Sequence, residues 1–162
     1  MDNLWAPWRI DYILNPKEKG CFFCKYIKDN NDEEHLILLR GNHSFVIMNY
    51  YPYNNGHLMI APFRHLAGLS ELNDDTLLEM LKLTRHSVDI IKKEMKAEGF
   101  NIGINLGDIA GAGVKDHLHI HIVPRWKGDT NFMPIIGHTK VVSEGLKETY
   151  QKLKKHFDKI TI

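Results

Sequence analysis

The segment His117–Val123 constrains the fold and the chemistry of this chain more than any other, because histidine alternates there with apolar residues. Histidines occupy positions 117, 119 and 121, and Leu118, Ile120 and Ile122 occupy the positions between and after them. Successive side chains of a β-strand point to opposite faces, so an extended backbone places the imidazoles on one face, about 6.5 Å apart. The pattern predicts a strand with an apolar back and a chemically active front.

Three imidazoles on one surface point to a site, because histidine can act as nucleophile, proton donor or metal ligand near neutral pH. The plain alternative is a polar strand face that uses histidine three times without a function. The rest of the sequence favours a site, since a glycine-rich loop precedes the motif and a cysteine pair lies near the N-terminus.

Composition limits the class of protein. The 162 residues suffice for one domain with a sizeable core, and 21 basic residues nearly balance 20 acidic ones. This balance gives no indication of nucleic-acid or membrane binding. No apolar run reaches the roughly 20 residues that cross a bilayer, and residues 1–5 lack the features of a secretion signal. We therefore expect a cytoplasmic protein with neither nucleic acid nor membrane among its partners.

Both cysteines lie in the motif Cys21-Phe22-Phe23-Cys24. In a reducing compartment such a pair indicates a metal clip or a redox pair rather than a structural disulfide. Thioredoxin-like pairs open a helix after a strand, whereas residues 15–20 have the composition of a loop. The sequence therefore favours half of a zinc site, with histidine supplying the other half.

Apolar periodicity predicts a mixed α+β fold. A long helix begins after the capping residue Asn73 and ends before Gly99, and a last helix begins after Ser143. Strands precede and follow the long helix, which favours a mostly antiparallel sheet. Leu77, Leu81, Thr84, Val88, Ile91 and Met95 recur at helical spacing in the long helix. The predicted strands are 35–39, 45–49, 57–61, 100–106 and 117–123, the last closed by Pro124, and residues 107–113 form a glycine-rich loop.

With these residues in view, the chain resembles the histidine triad (HIT) superfamily of nucleotide hydrolases and transferases, whose signature is His-φ-His-φ-His-φ-φ with φ apolar. Residues 117–123 match every position, and the likeness extends from Trp5-Ala6-Pro7-Trp8 through Gly56-His57-Leu58 to Pro124-Arg125-Trp126. The most similar branch contains fragile-histidine-triad hydrolases and bacterial diadenosine tetraphosphate hydrolases or phosphorylases.

The resemblance implies a HIT-like α+β fold: a mostly antiparallel sheet of about five strands, one long crossing helix and a C-terminal helix. It implies a single domain over residues 1–162. Within that domain we expect an N-terminal arm at 1–20, a catalytic core at 21–126, and a C-terminal segment and helix at 127–162.

The resemblance also implies roles for individual side chains. His119 is the nucleophile that forms a nucleotidyl-imidazole intermediate, His121 contacts the scissile phosphate and helps to protonate the leaving nucleotide, and His57 orients its neighbours. Asn49 and Asn105 match positions that hold phosphate and ribose. Glycines in the loop before the triad would let backbone N–H groups approach phosphate oxygens. The loop residues expected to bind substrate, together with His121, are Gly111, Ala112, Gly113 and Val114.

In family members with an N-terminal Cys-x-x-Cys, two histidines complete a tetrahedral metal site. The matching residues here are Cys21, Cys24, His65 and His117. We expect a structural zinc ion there, against the alternative of a metal-free protein with reduced, buried cysteines. Mg²⁺ is expected to accompany the nucleotide substrate.

Two further expectations concern surfaces. The resemblance implies a homodimer, and Trp5, Trp8 and Trp126 supply aromatic groups of the kind found at interfaces. An apolar slot made by Phe45, Ile47 and Met48 is expected to accept a nucleotide base of either purine type.

The reaction expected from the sequence is hydrolysis of a dinucleoside polyphosphate, or of a related nucleotidyl conjugate, at the α-phosphate. Phosphorylase-type relatives carry Gly-Ser where this chain has Ala112-Gly113, and they tend to lack a histidine at the position of His65. Because that hydroxyl would help to position inorganic phosphate, its loss favours hydrolysis, and phosphorolysis stays as the alternative. Two other classes stay open: a catalytic zinc hydrolase with three histidine ligands, and a nucleotide-binding module with little turnover.

Overall fold

The structure is a computed structural model and describes residues 20–130 and 144–162. The interface expected at Trp5 and Trp8 lies outside the described residues. The helices are α1 (Phe22–Lys28), α2 (Asp74–Met95) and α3 (Leu146–Phe157), with short 3-10 turns at Leu69–Glu71 and Asp108–Ala110. The strands are β1 (Ile37–Arg40), β2 (Ser44–Met48), β3 (Leu58–Pro62), β4 (Gly99–Ile104) and β5 (Ile120–Arg125). Within the two described ranges, no helix has the length and apolar character needed to span a membrane.

The five strands form one sheet in the order β1-β2-β3-β5-β4, and every neighbouring pair is antiparallel. This confirms the α+β class and the predicted antiparallel sheet. Because β5 lies between β3 and β4, His121 stands opposite Met59 on one side and Gly103 on the other. Opposed residues of an antiparallel pair share a face, so the side chains of His121 and Met59 lie on the same face of the sheet.

The sheet separates two apolar layers. One face carries the larger core, which includes Val46 and Ile122 and is covered by α2 and α3. The other face carries a smaller cluster in which Phe23 of α1 packs with Met59 and its neighbours. His121 therefore lies on the face that α1 covers, away from the two longer helices.

Helix α2 begins and ends close to the predicted positions. Asn73 Oδ1 accepts a hydrogen bond from the Thr76 N–H at 2.9 Å, which caps the first turn. The helix ends at Met95 because Lys96 adopts a left-handed conformation with φ 55°. The buried stripe differs from the expected one at Leu81, which is 62% exposed, because neighbouring Met80 faces the core instead.

Helix α3 confirms the predicted final helix. Tyr150, Leu153 and Phe157 are buried, and Leu146 packs at the edge of the same core. The Tyr150 hydroxyl donates a hydrogen bond to the Ile37 carbonyl at 3.1 Å, which ties this helix to β1.

The histidine motif lies only partly in a strand, so the predicted strand 117–123 is wrong at its start. β5 begins at Ile120, and His117 and His119 precede the hydrogen-bonded ladder. The Leu118 N–H donates to the Leu66 carbonyl at 2.7 Å. The loop after β3, rather than a neighbouring strand, therefore holds this part of the motif.

The predicted end of that strand at Pro124 is also wrong, because β5 continues to Arg125. The Arg125 carbonyl accepts from the Glu98 N–H at 2.9 Å, whereas the Pro124 carbonyl accepts from Asn54 Nδ2 at 2.9 Å. The Pro124 carbonyl therefore points away from β4, toward the β3 side of the strand. At this position β3 no longer pairs with β5. A proline is tolerated there because no ladder hydrogen bond needs its N–H.

Candidate active site and metal cluster

The His119 ring is buried with one nitrogen fixed as a hydrogen-bond donor. Its Nδ1 lies 2.8 Å from the carbonyl oxygen of His117. A carbonyl oxygen only accepts, so Nδ1 carries the proton and Nε2 keeps its lone pair when the ring is neutral. The ring stands edge-on to that of His121, with centroids 4.6 Å apart. This is the tautomer that a nucleophilic imidazole needs.

A second hydrogen-bond chain sets the tautomers of His57 and His121. The Tyr53 backbone N–H donates to His57 Nδ1 at 3.1 Å, and the Asn49 amide nitrogen lies 3.3 Å from the same atom. Because Nδ1 accepts, the proton of a neutral His57 ring sits on Nε2, which lies 3.0 Å from His121 Nδ1. His121 then carries its own proton on Nε2, so it is a hydrogen-bond donor.

The electrostatics of the site keep these rings neutral near pH 7. Burial, followed by repulsion from His121 and His119, lowers the pKa of His57 to about 3. Burial, followed by repulsion from His119, lowers the pKa of His121 to about 4. Burial also lowers the pKa of His119, although its hydrogen bond to the His117 carbonyl acts in the opposite direction. Neutral imidazoles do not repel one another, so the three rings can lie this close together.

Four side chains converge on one point beside α1. The Sγ atoms of Cys21 and Cys24 and one ring nitrogen each of His65 and His117 lie within 4.8 Å of one another. His117 Nδ1 is 3.3 Å from Cys21 Sγ and 3.6 Å from Cys24 Sγ, and His65 Nδ1 is 3.3 Å from Cys24 Sγ. Sulfur and nitrogen ligands of a tetrahedral zinc ion are separated by about 3.6 Å. The structure thus brings together all four predicted ligands in a cluster that fits this geometry.

The chemistry of these donors also fits a cation. Burial raises the pKa of the Cys21 thiol; the backbone N–H of Cys24 acts in the opposite direction, and the Cys24 side chain raises the pKa again. Two adjacent thiolates are unfavourable without a positive ion between them, and a bound metal deprotonates such thiols outright. His117 Nε2 donates to the Pro62 carbonyl at 2.9 Å, so its Nδ1 is the unprotonated nitrogen and faces the cysteines.

The metal cluster excludes one of the alternatives raised by the sequence. Of the triad, His117 alone belongs to the cluster, which is the one group of three or more potential ligands found in the described part of the chain. Both ring nitrogens of His117 are used, since Nδ1 faces the cysteines and Nε2 donates to the Pro62 carbonyl. The structure therefore contradicts a catalytic zinc ion held by all three histidines of the triad.

The glycine-rich loop lies between β4 and the triad. Asn105 Nδ2 donates to the Gly111 carbonyl at 3.4 Å, which fixes the loop across its width. Gly107 and Gly111 both have φ 82°, a conformation that favours glycine. A Cβ at Gly111 or Gly113 would meet no atom within 4 Å, so the backbone there is open to a ligand. Contact between substrate and the segment Gly111–Val114 stays a prediction.

Asn49 makes local contacts in the structure. Its Oδ1 accepts the Tyr51 N–H at 2.9 Å, and its Nδ2 faces the His57 ring. The side chain thus closes a turn beside His57, and its contact with phosphate or ribose stays a prediction.

The expected base slot is wrong. Phe45 and Ile47 are fully buried, because Phe23 of α1 covers them with its ring 5.9 Å from that of Phe45. Met48 belongs to the core on the opposite face of the sheet. Alternation along β2 therefore separates Met48 from the other two side chains, and α1 fills the space that a base would need.

Sequence reasoning misses two residues that contact the site. Phe23 lies between the two cysteines, and its ring lies 5.0 Å from that of His117 and 5.2 Å from that of His119. Tyr53 lies four residues before His57 and stacks obliquely on it at 4.8 Å. The available signals were an apolar residue inside the Cys-x-x-Cys motif and an aromatic residue in the turn before Gly56.

Comparison with known proteins places the chain among its relatives. A model of the HIT domain matches residues 30–128. An AP-4-A phosphorylase from Mycobacterium tuberculosis is 37% identical over 161 residues, which cover 94% of this chain and 83% of that protein. The structure of a hypothetical histidine triad nucleotide-binding protein from Sulfolobus tokodaii is 33% identical with a TM-score of 0.66, covering 85% of this chain and 89% of that one. A Zn-bound histidine triad family protein from Mycobacterium smegmatis has a TM-score of 0.69 at 21% identity, covering 86% and 94%. This chain belongs to the HIT domain family.

Proposed function

We propose that this chain is a nucleotidyl-transfer enzyme that cleaves diadenosine tetraphosphate, or a related dinucleoside polyphosphate, with inorganic phosphate as the acceptor. The 37% identity to a protein named AP-4-A phosphorylase, across 94% of this chain, supports this choice of reaction. The proposal rests chiefly on the tautomer of His119, whose Nδ1–H donates to the His117 carbonyl oxygen at 2.8 Å. Its Nε2 lone pair is thereby available to attack phosphorus.

In the first step, His119 Nε2 forms a bond to the α-phosphorus, and the P–O bond to the rest of the substrate breaks. A neutral nucleophile suits this step, because the phosphate oxygens repel an incoming anion. The nucleotidyl ring keeps its Nδ1–H and becomes positively charged, and the His117 carbonyl stabilises that charge through a charge-assisted hydrogen bond. From diadenosine tetraphosphate this step releases ATP.

His121 assists the leaving group in this proposal. Its Nε2–H, set by the chain from Tyr53 through His57, donates to the departing oxygen. A polyphosphate leaving group is acidic enough that a hydrogen bond stabilises its departure without full proton transfer. A bound phosphate also raises the pKa of a neighbouring imidazole, so substrate itself moves His121 toward the protonated state.

In the second step, an oxygen of inorganic phosphate attacks the nucleotidyl phosphorus, and the P–N bond breaks. The products are ADP and the His119 ring in its starting state. Water in place of phosphate would give AMP, and hydrolysis is the second candidate. Ala112-Gly113 favours it, because this segment lacks the hydroxyl expected to position phosphate.

We propose Zn²⁺ as the ion of the metal cluster. When bound, it would cross-link the start of α1 to the loop after β3 and to His117, and so supply structure. Four protein donors leave a tetrahedral ion without an open position for water. Cys21, Cys24, His65 and His117 would therefore hold a structural ion next to the reaction centre.

We also propose that the protein forms a homodimer through β4. This strand is at the edge of the sheet, and its Ile102 is 50% exposed. Unpaired edge strands invite pairing with another chain. Light scattering should give the mass of a dimer for the wild type and a monomer for Ile102→Lys; a monomeric wild type would reject this interface.

Product analysis tests the proposed reaction. Incubation with diadenosine tetraphosphate and labelled phosphate should give ATP and labelled ADP, whereas hydrolysis gives ATP and AMP with or without phosphate. His119→Gly should lose cleavage, and His43→Gln, which changes an exposed histidine, should match the wild type. If AMP rather than labelled ADP forms in the presence of phosphate, the proposed acceptor is wrong, and if the wild type cleaves the substrate under neither condition, the whole proposal is rejected.

A further inference from the structure

Phe23 joins the metal cluster to the reaction centre. It follows Cys21 by two residues and directly precedes Cys24, and its side chain has no exposed surface. Its ring lies 5.0 Å from the ring of His117 and 5.2 Å from that of His119, at tilted angles of 49° and 53°. A single apolar ring therefore touches a metal-ligand histidine and the proposed nucleophile at once.

The orientation of His119 depends on packing. Its backbone precedes β5, so no ladder hydrogen bond of that strand holds it. The Nδ1 hydrogen bond to the His117 carbonyl fixes one edge of the ring, and neighbouring rings must fix its plane. Phe23 contacts His119 at 5.2 Å, while His121 stands edge-on to it at 4.6 Å. A nucleophile must be aligned closely with phosphorus, and a misplacement of about 1 Å can cost about 100-fold in rate.

The position of Phe23 depends in turn on the start of α1. This helix has seven residues, no acidic residue in its first turn and no side-chain cap on Cys21. A helix of this length is not stable on its own. Its end is held by Arg40, which donates to the carbonyls of Ile27 and Tyr26 at 2.9 and 3.3 Å. Its start, which carries Phe23, is held by two things: the apolar packing of Phe23 against β2 and β3, and whatever joins the two cysteines to His65 and His117.

We propose that Phe23 is a positioning residue that transmits the state of the metal cluster to His119. With the metal bound, the first turn of α1 presses Phe23 against the nucleophile and holds its ring plane. Loss of the metal, or truncation of Phe23, releases that ring. This inference rests on the proposed function of His119 and on the proposed metal, and it goes beyond both by coupling them through one side chain.

The test combines truncation with metal removal. Phe23→Ala and Phe23→Leu are compared with Phe100→Ala, a matched control that truncates a partly buried phenylalanine packed against the core on the other face of the sheet. Zinc content is measured for every sample, so that kcat and KM are compared at equal loading. We expect loaded Phe23→Ala to lose about 10- to 100-fold in kcat with KM changed less than about 3-fold. Phe23→Leu should recover part of the loss, and Phe100→Ala should match the wild type.

Chelation supplies the decisive comparison. It should lower the kcat of the wild type and of Phe100→Ala by about the same factor as truncation of Phe23, and it should lower the kcat of Phe23→Ala little further. If chelation lowers kcat by the same factor in the wild type and in Phe23→Ala, the two effects are independent and the proposal is overturned. An unchanged kcat in zinc-loaded Phe23→Ala would overturn it as well. If Phe23→Ala does not fold or does not hold zinc, Phe23→Leu carries the same comparison.

A readout independent of turnover separates this proposal from the proposed reaction. In ¹⁵N-labelled protein, the ring signals of His119 should shift or broaden on chelation of the wild type and should already be changed in loaded Phe23→Ala. If the His119 signals respond neither to chelation nor to Phe23→Ala, the coupling is overturned even if the enzyme is active. Conversely, the protein could cleave no dinucleotide while its His119 signals respond to both changes. That result would reject the proposed reaction and support the coupling.

Discussion

Acid is expected to destabilise this fold through the buried pair His57 and His121. Burial, with repulsion from neighbouring histidines, lowers the pKa of His57 to about 3 and that of His121 to about 4, from an ordinary 6.5. At pH 5 both rings are neutral in the folded protein, whereas the unfolded chain takes up protons below pH 6.5. The stability they contribute is complete above that pH and is lost as the pH falls toward 3.

The linkage relation gives the magnitude. Between pH 7 and pH 5, each ring removes about 2 kcal/mol from the free energy of unfolding, and the pair removes about 4 kcal/mol. A typical domain has about 5–15 kcal/mol in total, so the effect is large. Urea titrations at the two pH values, followed by circular dichroism, measure it.

Two variants identify the source of this effect. His57→Gln/His121→Gln lacks both groups, so its stability should change between the two pH values by about 4 kcal/mol less than that of the wild type. His43→Gln removes an exposed histidine and should keep the wild-type dependence. If the free energy of unfolding of the double variant falls as much as that of the wild type between pH 7 and pH 5, His57 and His121 are not the source of the effect.

Three further predictions concern the supports of the site. Glu79→Ala removes a carboxylate that accepts from the backbone N–H groups of residues 42–44 at 2.8–3.1 Å and from the Ser44 hydroxyl at 2.7 Å. It should lower the free energy of unfolding by about 3 kcal/mol in urea titrations, and Glu79→Gln by less; a loss below about 1 kcal/mol would contradict this. Gly56→Ala should cost about 2 kcal/mol or more, because φ is 72° and a Cβ would lie 2.7 Å from Met95 Sδ. Gly103→Ala, with open space at its Cβ, is the matched control, and equal thermal midpoints for the two variants would refute the steric argument. Chelation should lower the thermal midpoint of the zinc-loaded wild type and should leave the midpoint of Cys21→Ala/Cys24→Ala unchanged. If the wild type loses its zinc and keeps its thermal midpoint, the ion is not structural.

The features that sequence predicts well depend on local patterns. The cap at Asn73, the long helix and the approximate positions of the strands along the chain follow from short-range propensity and periodicity. The metal ligands follow from the resemblance, and the structure brings Cys21, Cys24, His65 and His117 together. The cysteine pair, His65 and His117 are distant from one another in sequence, so spacing alone would not have joined them.

The features that sequence misses depend on packing between elements. Alternation correctly separated the faces at His121, but it could not show that the loop at Leu66 holds the preceding residues out of the sheet. Nor could it show that α1 covers Phe45 and Ile47, because that helix is too short for its position to follow from its own sequence. The contact between Phe23 and His119 is likewise long-range, so it is visible only in the tertiary structure.

The proposed reaction requires that Nε2 of His119 bonds covalently to the α-phosphorus of the substrate. Mass spectrometry of rapidly quenched mixtures with diadenosine tetraphosphate measures it directly. We expect an adenylyl group on a peptide that contains His119, formed within one turnover, consumed faster when phosphate is present, and absent from His119→Gly. Cleavage of the substrate without any such adduct, or full turnover by His119→Gly, would contradict it.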